Sequence, residues 1–115
     1  MIKLDNQKGT LIISDEVFAN VVGYAATSCY GVAGMASRNT TDGIMSLIKK
    51  ENLVKGVKVV CEDDELIIEM HIVVLYGINI PAITESIIHK VSYVVEDATG
   101  FKVRDIHVFV DYVKV

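Results

Sequence analysis

Hydrophobic and polar residues alternate along several stretches of the chain, a pattern typical of strands with two different faces. The alternation that precedes the acidic turn Asp63-Asp64 resumes after it, which predicts a hairpin. In the last stretch, Val103 breaks the parity that begins at Ile106, and this break predicts a β-bulge. The predicted strands cover residues 9–13, 57–61, 66–76 and about 102–113.

Helical spacing of hydrophobic residues follows the first predicted strand. Ser14 can cap a helix over residues 15–29, because its hydroxyl can accept a hydrogen bond from a free amide of the first turn. Asp42 can cap a short second helix over about 43–51. The residues of this short helix that should face inward are Ile44, Leu47 and Ile48.

The longest helical pattern begins at Asn79 or Ile80. Pro81 suits the first turn of a helix, and Gly100 suits the left-handed position that follows the last turn. The hydrophobic residues between them form one stripe, which should pack on the sheet. The stripe consists of Ile80, Ile83, Ile87, Val91, Val94 and Ala98, widened by Ile88 and Val95.

The order of the predicted elements is β-α-(short α)-β-β-α-β. We therefore expect an α+β fold, with helices packed mainly on one face of a small mixed β-sheet. The length of 115 residues indicates a single domain over residues 1–115. A chain of this size buries enough of its unfolded surface to support a core that needs no disulfide or metal.

Period two also sorts the strand residues into two rows. One row should lie under the helices: Leu66, Ile68, Met70, Ile72, Val74 and Tyr76, with Ile106, Val108, Val110 and Tyr112. The opposite row mixes charged and apolar residues, so we expect a protein partner or a second copy of the chain to cover it. The alternative is that the N-terminal strand or a loop covers it. The candidate interaction surface consists of Glu69, His71, Val73, Leu75, His107, Phe109 and Asp111.

Four residues of this surface also allow a different function. His71, Glu69, His107 and Asp111 would supply two imidazoles and two carboxylates, ligand types that suit zinc or manganese. Such a site requires the two strands to be adjacent and in register, and the spacing matches no helical histidine pair. The simpler interpretation is exposed histidines paired with acids. Metal or small-ligand binding is therefore the alternative function, and we expect no cofactor.

Gly31-Val-Ala-Gly34 matches the G-x-x-G loop by which KH domains hold a nucleic-acid backbone. Val32 and Ala33 add no positive charge, and the net charge of −4 works against phosphate binding. We therefore expect a structural turn here and no nucleic-acid partner. The chain has no P-loop, nucleophile elbow or C-x-x-C pair, and we expect no enzymatic activity.

Cysteine spacing and hydropathy indicate the cellular compartment. Cys29 and Cys61 lie 32 residues apart, which fits neither a zinc site nor a disulfide scaffold, so we expect buried thiols in a reducing cytoplasm. The first eight residues lack the apolar core of a secretion signal. The most apolar stretch, Leu66 to Tyr76, is too short to span a membrane. His89 should be solvated.

Several short motifs, in order, resemble the alkaline shock protein family of bacterial envelope-stress proteins. The resemblance runs from about residue 8 to residue 113. The motifs are Gly9-Thr-Leu-Ile-Ile-Ser-Asp-Glu-Val17, Gly31-Val-Ala-Gly-Met35, Gly56-Val-Lys-Val59, Tyr76-Gly77, and Thr99-Gly-Phe101 followed by Val108-Phe-Val110.

This resemblance implies a small, cytoplasmic, non-enzymatic protein of mainly Gram-positive bacteria. Stress members of the family are made abundantly under alkaline or cell-wall stress, whereas other members are housekeeping paralogues. The resemblance also implies a membrane-anchored protein partner that holds the chain at the inner membrane face, and self-association into larger assemblies. The family offers no catalytic motif to transfer, so we expect an interaction or scaffold protein.

Overall fold

The computed structural model describes residues 2–36, 47–48 and 56–115 of the chain. In these residues it has two helices and seven strands. In chain order they are β1 (Ile2–Asn6), β2 (Gly9–Ile13), α1 (Asp15–Thr27), β3 (Val32–Ala36), β4 (Leu47–Ile48), β5 (Val57–Glu62), β6 (Glu65–Leu75), α2 (Ile80–Thr99) and β7 (Val103–Lys114).

Strand β6 is the centre of the larger sheet. Its first half pairs antiparallel with β5 and its second half with β3, so these two strands share one edge of β6. Its other edge pairs in parallel with β7. Strand β4 pairs with β3, while β1 and β2 form a separate two-stranded hairpin. The expected α+β fold with a small mixed sheet is confirmed.

Both helices pack on the same side of this sheet. One row of β6, from Leu66 to Val74, is fully buried and joins a single core cluster with residues of α1 and α2. The helix residues of this cluster are Phe18, Val22, Ala25 and Ala26 of α1 and Ile83, Ile87, Val91 and Val95 of α2. The helices therefore cover one face, as the sequence predicts.

The start of α1 follows the sequence prediction and its end does not. The Ser14 hydroxyl accepts a hydrogen bond from the Val17 amide at 3.1 Å, which caps the helix. The helix ends at Thr27, two residues before the predicted end at Cys29. The Ser28 hydroxyl donates a hydrogen bond to the Ala25 carbonyl, one of the last four carbonyls of the helix, which have no donor within it.

Helix α2 begins and ends where its capping residues predict. The Asn79 side chain accepts a hydrogen bond from the Ala82 amide at 3.1 Å, and Gly100 adopts the left-handed conformation with φ of 75°. The buried stripe is narrower than predicted, since Ile80, Ile88 and Ala98 are exposed. His89 is also exposed, as expected.

Two elements of the first half differ from the prediction. The turn predicted at Gly31–Gly34 is limited to Gly31, and Val32–Ala36 forms β3. The Gly31 carbonyl accepts a hydrogen bond from the Leu75 amide, which places the following residues beside β6. Leu47–Ile48 pairs with β3 as a strand, so the predicted short helix is wrong at these two residues. The rest of the predicted helix over 43–51 lies outside the described residues.

The N-terminal strand β1 is absent from the sequence prediction. Its apolar residues Ile2 and Leu4 are buried in the core cluster, whereas Lys3 and Asp5 between them are exposed. Tyr76, which the sequence places in the buried row, is exposed in the turn after β6. The buried row of β6 therefore ends at Val74, with exposed Leu75 as the last residue of the strand.

Candidate interaction surface

The side of the large sheet that faces away from the two helices is here termed the outer face. Strand register determines which residues share it: Glu69 of β6 lies between Lys58 of β5 and His107 of β7. His71 lies beside Phe109 in the same row of pairs. The outer face includes Lys58, Val60, Ile67, Glu69, His71, Val73, Leu75, Asp105, His107, Phe109 and Tyr112.

Only some of the predicted contact residues present surface on the outer face. His71 is 8% exposed and Val73 is 1% exposed, so neither offers much area to a partner. Phe109 and Leu75 expose 42% and 41% of their surface. His107 is exposed and Glu69 is half-buried. The accessible apolar area therefore comes from Phe109 and Leu75 rather than from Val73.

His71 is the buried centre of this face. Its ring stacks on the Phe109 ring, with centroids 4.7 Å apart and planes inclined by 11°. Its Nδ1 lies 2.7 Å from Oδ2 of Asp111, whose carboxylate accepts the hydrogen bond. Within the described residues, the Nε2 atom is buried and has no hydrogen-bond partner. The imidazole is thus oriented by one carboxylate and one aromatic ring.

Two β-bulges in β7 shape the outer face. Between Val103 and Asp105 the register shifts by one residue, which confirms the bulge that the sequence predicts near Val103. A second, unpredicted shift leaves Asp111 between Val110, which pairs with Ile72, and Tyr112, which pairs with Val73. The second bulge accompanies the approach of Asp111 to His71. It also places Tyr112 on the outer face, so the predicted position of Tyr112 in the buried row is wrong.

The predicted candidate surface lacks two exposed hydrophobic residues of the outer face, Tyr112 and Val60. Tyr112 exposes 49% of its surface because of the second bulge. Val60 of β5 is 43% exposed and pairs with Ile67. The alternation in 57–61 contained the signal for Val60, since that residue has the parity of the exposed Lys58. The apolar area of this face thus extends across β5, β6 and β7.

The N-terminal strand does not cover this face. Ile13 of β2, the N-terminal strand that the sequence predicts over residues 9–13, packs against the core cluster that contains the helix residues. Its neighbour β1 places Ile2 and Leu4 in the same cluster. The alternative cover by the N-terminal strand is therefore wrong. The other alternative, that a loop covers the outer face, stays a prediction where it involves residues 37–46 or 49–55, which lie outside the described residues.

The predicted metal ligands are only partly brought together. His71 and Asp111 are in contact, and Glu69 and His107 are cross-strand neighbours. Among residues 2–36, 47–48 and 56–115, no group of three or more histidine, cysteine, aspartate or glutamate side chains is placed to hold a metal ion. The Nδ1 atom of His71 is also already occupied by Asp111. The geometry therefore favours a structural pair over a metal site.

Gly31 has a structural explanation that does not involve a nucleic acid. Its φ of 91° is a conformation that favours glycine, and a Cβ at this position would collide with the Ile83 side chain of α2. Gly34 lies within β3, where it pairs with Val73. The two glycines thus serve a close approach and a strand, and they do not form an exposed loop between two helices.

Both cysteines are half-buried thiols without a disulfide. The Cys61 Sγ lies 3.6 Å from the Lys3 carbonyl oxygen, at the contact between β5 and β1. Burial raises the pKa of the Cys61 thiol, and the negative charges of Asp64 and Asp5 raise it further. Cys61 is therefore a poor candidate for a reactive nucleophile, since reactivity requires the thiolate.

Hydropathy along the two helices bears on membrane association. Neither α1 nor α2, the helices of the described residues, combines the length and the apolar character that a transmembrane helix needs.

Comparison with known proteins identifies the family. Over 115 residues, the chain is 39% identical to "Uncharacterized protein YloU" of Bacillus subtilis (strain 168), covering 99% of this chain and 96% of that protein. It is 35% identical to "Uncharacterized protein Spy1614" of Streptococcus pyogenes serotype M6, covering 99% and 95% of the two chains. No solved structure matches the chain. Residues 3–115 match the sequence model of a family with a cell envelope-related function, the alkaline shock protein 23 family. The chain therefore belongs to the alkaline shock protein 23 family.

Proposed function

We propose that the protein is a non-enzymatic interaction module with a role at the cell envelope. In this proposal the two helices stabilise the sheet, and the outer face binds another protein. The observation that carries the proposal is the exposure of Phe109, Tyr112, Leu75 and Val60 on one face of the sheet. Exposed aromatic residues on a pre-formed surface are typical anchors of protein interfaces.

The charges around these residues favour a protein partner over a nucleic acid. Glu69 and Asp105 lie on the same face, and the chain carries a net charge of −4. A phosphate backbone would be repelled by these carboxylates, whereas a protein can provide apolar area opposite Phe109 and basic groups opposite the acids.

The family's envelope-related function supports a cytoplasmic location at the inner membrane face. In the proposal a membrane-anchored protein provides this location, and the chain acts as a scaffold beside it. The contact would consist of apolar packing at the outer face together with hydrogen bonds to an exposed strand edge.

The test replaces Phe109 by lysine and measures recovery of the protein with the membrane fraction of its own cells. We expect Phe109→Lys to lower this recovery several-fold, because a buried lysine opposite an apolar partner is strongly unfavourable. Tyr93→Lys is the matched control, since Tyr93 is an exposed aromatic residue on α2, on the other side of the molecule.

Both variants must first show the circular dichroism and unfolding temperature of the unmodified protein. If folded Phe109→Lys and Tyr93→Lys are recovered equally with membranes, the outer face is not the contact surface. Crosslinking in cells before lysis, followed by mass spectrometry of the bands lost in Phe109→Lys but kept in Tyr93→Lys, would identify the partner.

A further inference from the structure

A groove follows the seam between helices α1 and α2, on the helix side of the sheet. Two adjoining cavities form it, and they share Val21. Val17 of α1 and Ala98 of α2 line the first cavity, whereas Ser28, which caps α1, and Lys90 of α2 line the second. The two helices are therefore antiparallel, and the groove extends from the end of α2 to its middle.

The first cavity, at the end of α2, is apolar. It measures about 250 Å³ and lies between β2, α1 and α2. Phe18 and Val95 at its base are buried, while Leu11 and Val17 are exposed at its rim. Of the described residues that line it only Thr99 is polar, and its hydroxyl already donates to one backbone carbonyl and accepts from one backbone amide. The group that fits this cavity is therefore apolar.

The second cavity adds one positive charge. It measures about 460 Å³, and the exposed Lys90 lines it beside the apolar side chains of Val21, Ala25 and Val94. Lys90 is the one lysine or arginine of the two helices, which carry two carboxylates in α1 and three in α2. In the described part of the chain, no carboxylate forms an ion pair with Lys90. Its ammonium group is therefore available to an anion that enters the groove.

We propose that this groove binds a single-chain aliphatic carboxylate, that is, a free fatty acid. Its alkyl chain occupies the first cavity, and its carboxylate accepts a hydrogen bond from the Lys90 ammonium group. Ala98 and Lys90 are eight residues apart in α2, which corresponds to about 12 Å of helix. An extended chain of roughly ten carbons, with C–C bonds of about 1.5 Å, spans this distance. Decanoate therefore matches the groove in both length and charge.

Size and chemistry separate this ligand from other small molecules. The first cavity, at about 250 Å³, accommodates one alkyl chain, so the second chain of a membrane phospholipid would stay in water. A sugar or a nucleotide would lose its hydrogen bonds to water in that cavity without gaining others. The groove lies on the opposite side of the sheet from Phe109, so this proposal goes beyond the interaction function and does not depend on it.

Titration of the isotope-labelled full chain with decanoate, followed by NMR of the methyl groups, tests the site. We expect a Kd below about 1 mM, with the largest shifts at Val21, Val94 and Val95. Hexanoate, which lacks four methylene groups, should bind at least about ten-fold more weakly. Decyltrimethylammonium has the same tail and the opposite charge. It should bind more weakly than decanoate because of Lys90, although the net charge of −4 favours cations elsewhere on the surface. Equal or tighter binding of decyltrimethylammonium would overturn the role of Lys90.

Two variants test the two ends of the groove separately. Lys90→Gln should weaken decanoate binding several-fold and should not weaken binding of decyltrimethylammonium. Ala98→Phe should abolish decanoate binding, because the ring fills the first cavity from an exposed position and leaves the core unchanged. The control is Lys114→Gln, which removes an exposed charge on β7 and should leave the Kd unchanged.

Circular dichroism must first show that each variant is folded. The proposal is contradicted if about 1 mM decanoate causes no shifts in the unmodified protein, or if the shifts centre on Val73 and Leu75 of the outer face. It is also contradicted if folded Ala98→Phe binds decanoate as tightly as Lys114→Gln does. None of these results would alter the membrane recovery of Phe109→Lys, so failure of this site and failure of the proposed function are distinguishable.

Discussion

At the scale of single residues, the buried histidine shows how a mixed sheet face can be stable. The His71 side chain packs against Phe109 and has one hydrogen-bond partner among the described residues, the Asp111 carboxylate. A buried polar group that loses its partner costs the full desolvation free energy of that group. Asp111 therefore stabilises the face from which Phe109 is presented.

Replacing Asp111 by alanine should lower the free energy of unfolding by about 1–3 kcal/mol, because Nδ1 of His71 would lose its acceptor. Asp111→Asn keeps an acceptor oxygen and should cost less. Urea unfolding measures both, with Asp105→Ala as a control on the same strand, expected within about 0.5 kcal/mol of the unmodified protein. Equal losses for Asp111→Ala and Asp105→Ala would show that the His71–Asp111 contact contributes nothing.

The thiol of Cys61 gives a prediction about pH. Its raised pKa means that less thiolate is present at pH 8 than in an unperturbed cysteine, so alkylation by iodoacetamide should be slow and should accelerate as the pH rises above 9. Asp64→Asn removes the carboxylate whose charge raises the pKa of the Cys61 thiol most, keeps the backbone N–H of residue 64, and should lower this pKa and speed the reaction. The rates are measured in a Cys29→Ser background.

Asp63→Asn is the control for this measurement, because Asp63 is not among the groups that raise the pKa of Cys61. The explanation fails if the two variants react at the same rate at pH 8, or if Asp64→Asn reacts more slowly than the unmodified thiol.

At the scale of elements, the sequence predicted correctly those helix ends that depend on contacts between residues close together in the chain. The caps at Ser14 and Asn79 and the left-handed Gly100 involve contacts within a few residues, and all three are present. Strand β3 was missed because glycine and alanine have low intrinsic strand propensity, and pairing with β6 outweighs it. Strand β1 was missed because its alternation covers too few residues.

The second bulge of β7 shows what periodicity cannot reveal. Val110, Asp111 and Tyr112 continue the alternation of the sequence without a break, yet the register shift at Asp111 moves Tyr112 to the outer face. The first bulge was predictable because Val103 is apolar at a position of the wrong parity. The second bulge lies at a polar residue next to a tyrosine, which is compatible with either face, so the sequence contains no such signal. The position of Tyr112 on the outer face could therefore be found only from the structure.

The hairpin turn between β5 and β6 gives a prediction for a single element. Asp63 and Asp64 both have positive φ, at 52° and 59°, as in the two-residue turns that favour Asn-Gly or Asp-Gly. Asp64→Gly should raise the free energy of unfolding by roughly 0.5 kcal/mol, because glycine relieves the left-handed strain by more than it adds to unfolded-state entropy.

Asp63→Gly is the matched variant for this turn. It should stabilise the protein less, because aspartate is already favoured at the first turn position and because Asp63 lies 3.9 Å from Arg104. Thermal unfolding of both variants decides the matter. A lower unfolding temperature for Asp64→Gly would mean that the Asp64 side chain contributes more than its backbone strain costs.

At the scale of the whole molecule, the sheet depends on a close junction on one edge of β6. Strand β5 occupies the first half of that edge and β3 the second half, so the start of β5 meets the end of β3 beside His71. Gly56, which immediately precedes β5, is buried at this junction. Gly56 lies close to the backbone of His71, which is part of the outer face. The packing of this junction therefore affects the position of His71.

Replacing Gly56 by alanine should therefore destabilise the whole fold. A Cβ at this position would lie 3.0 Å from the Met35 Cβ, 3.1 Å from the Ala36 carbonyl oxygen and 3.2 Å from the His71 carbonyl oxygen. These neighbours are backbone or the first side-chain carbon, so relief requires strand movement rather than a rotamer change. Overpacking of this kind costs about 1–3 kcal/mol.

Urea unfolding, monitored by circular dichroism, measures the loss in the free energy of unfolding. The control is Lys58→Ala, at an exposed position of β5, which should change this free energy by less than about 0.5 kcal/mol. If the junction transmits strain to the outer face, Gly56→Ala should also weaken recovery with membranes while Lys58→Ala does not. A Gly56→Ala protein as stable as the control would mean that β3 and β5 can move apart at this junction without loss of stability, and the packing argument for Gly56 would then be wrong.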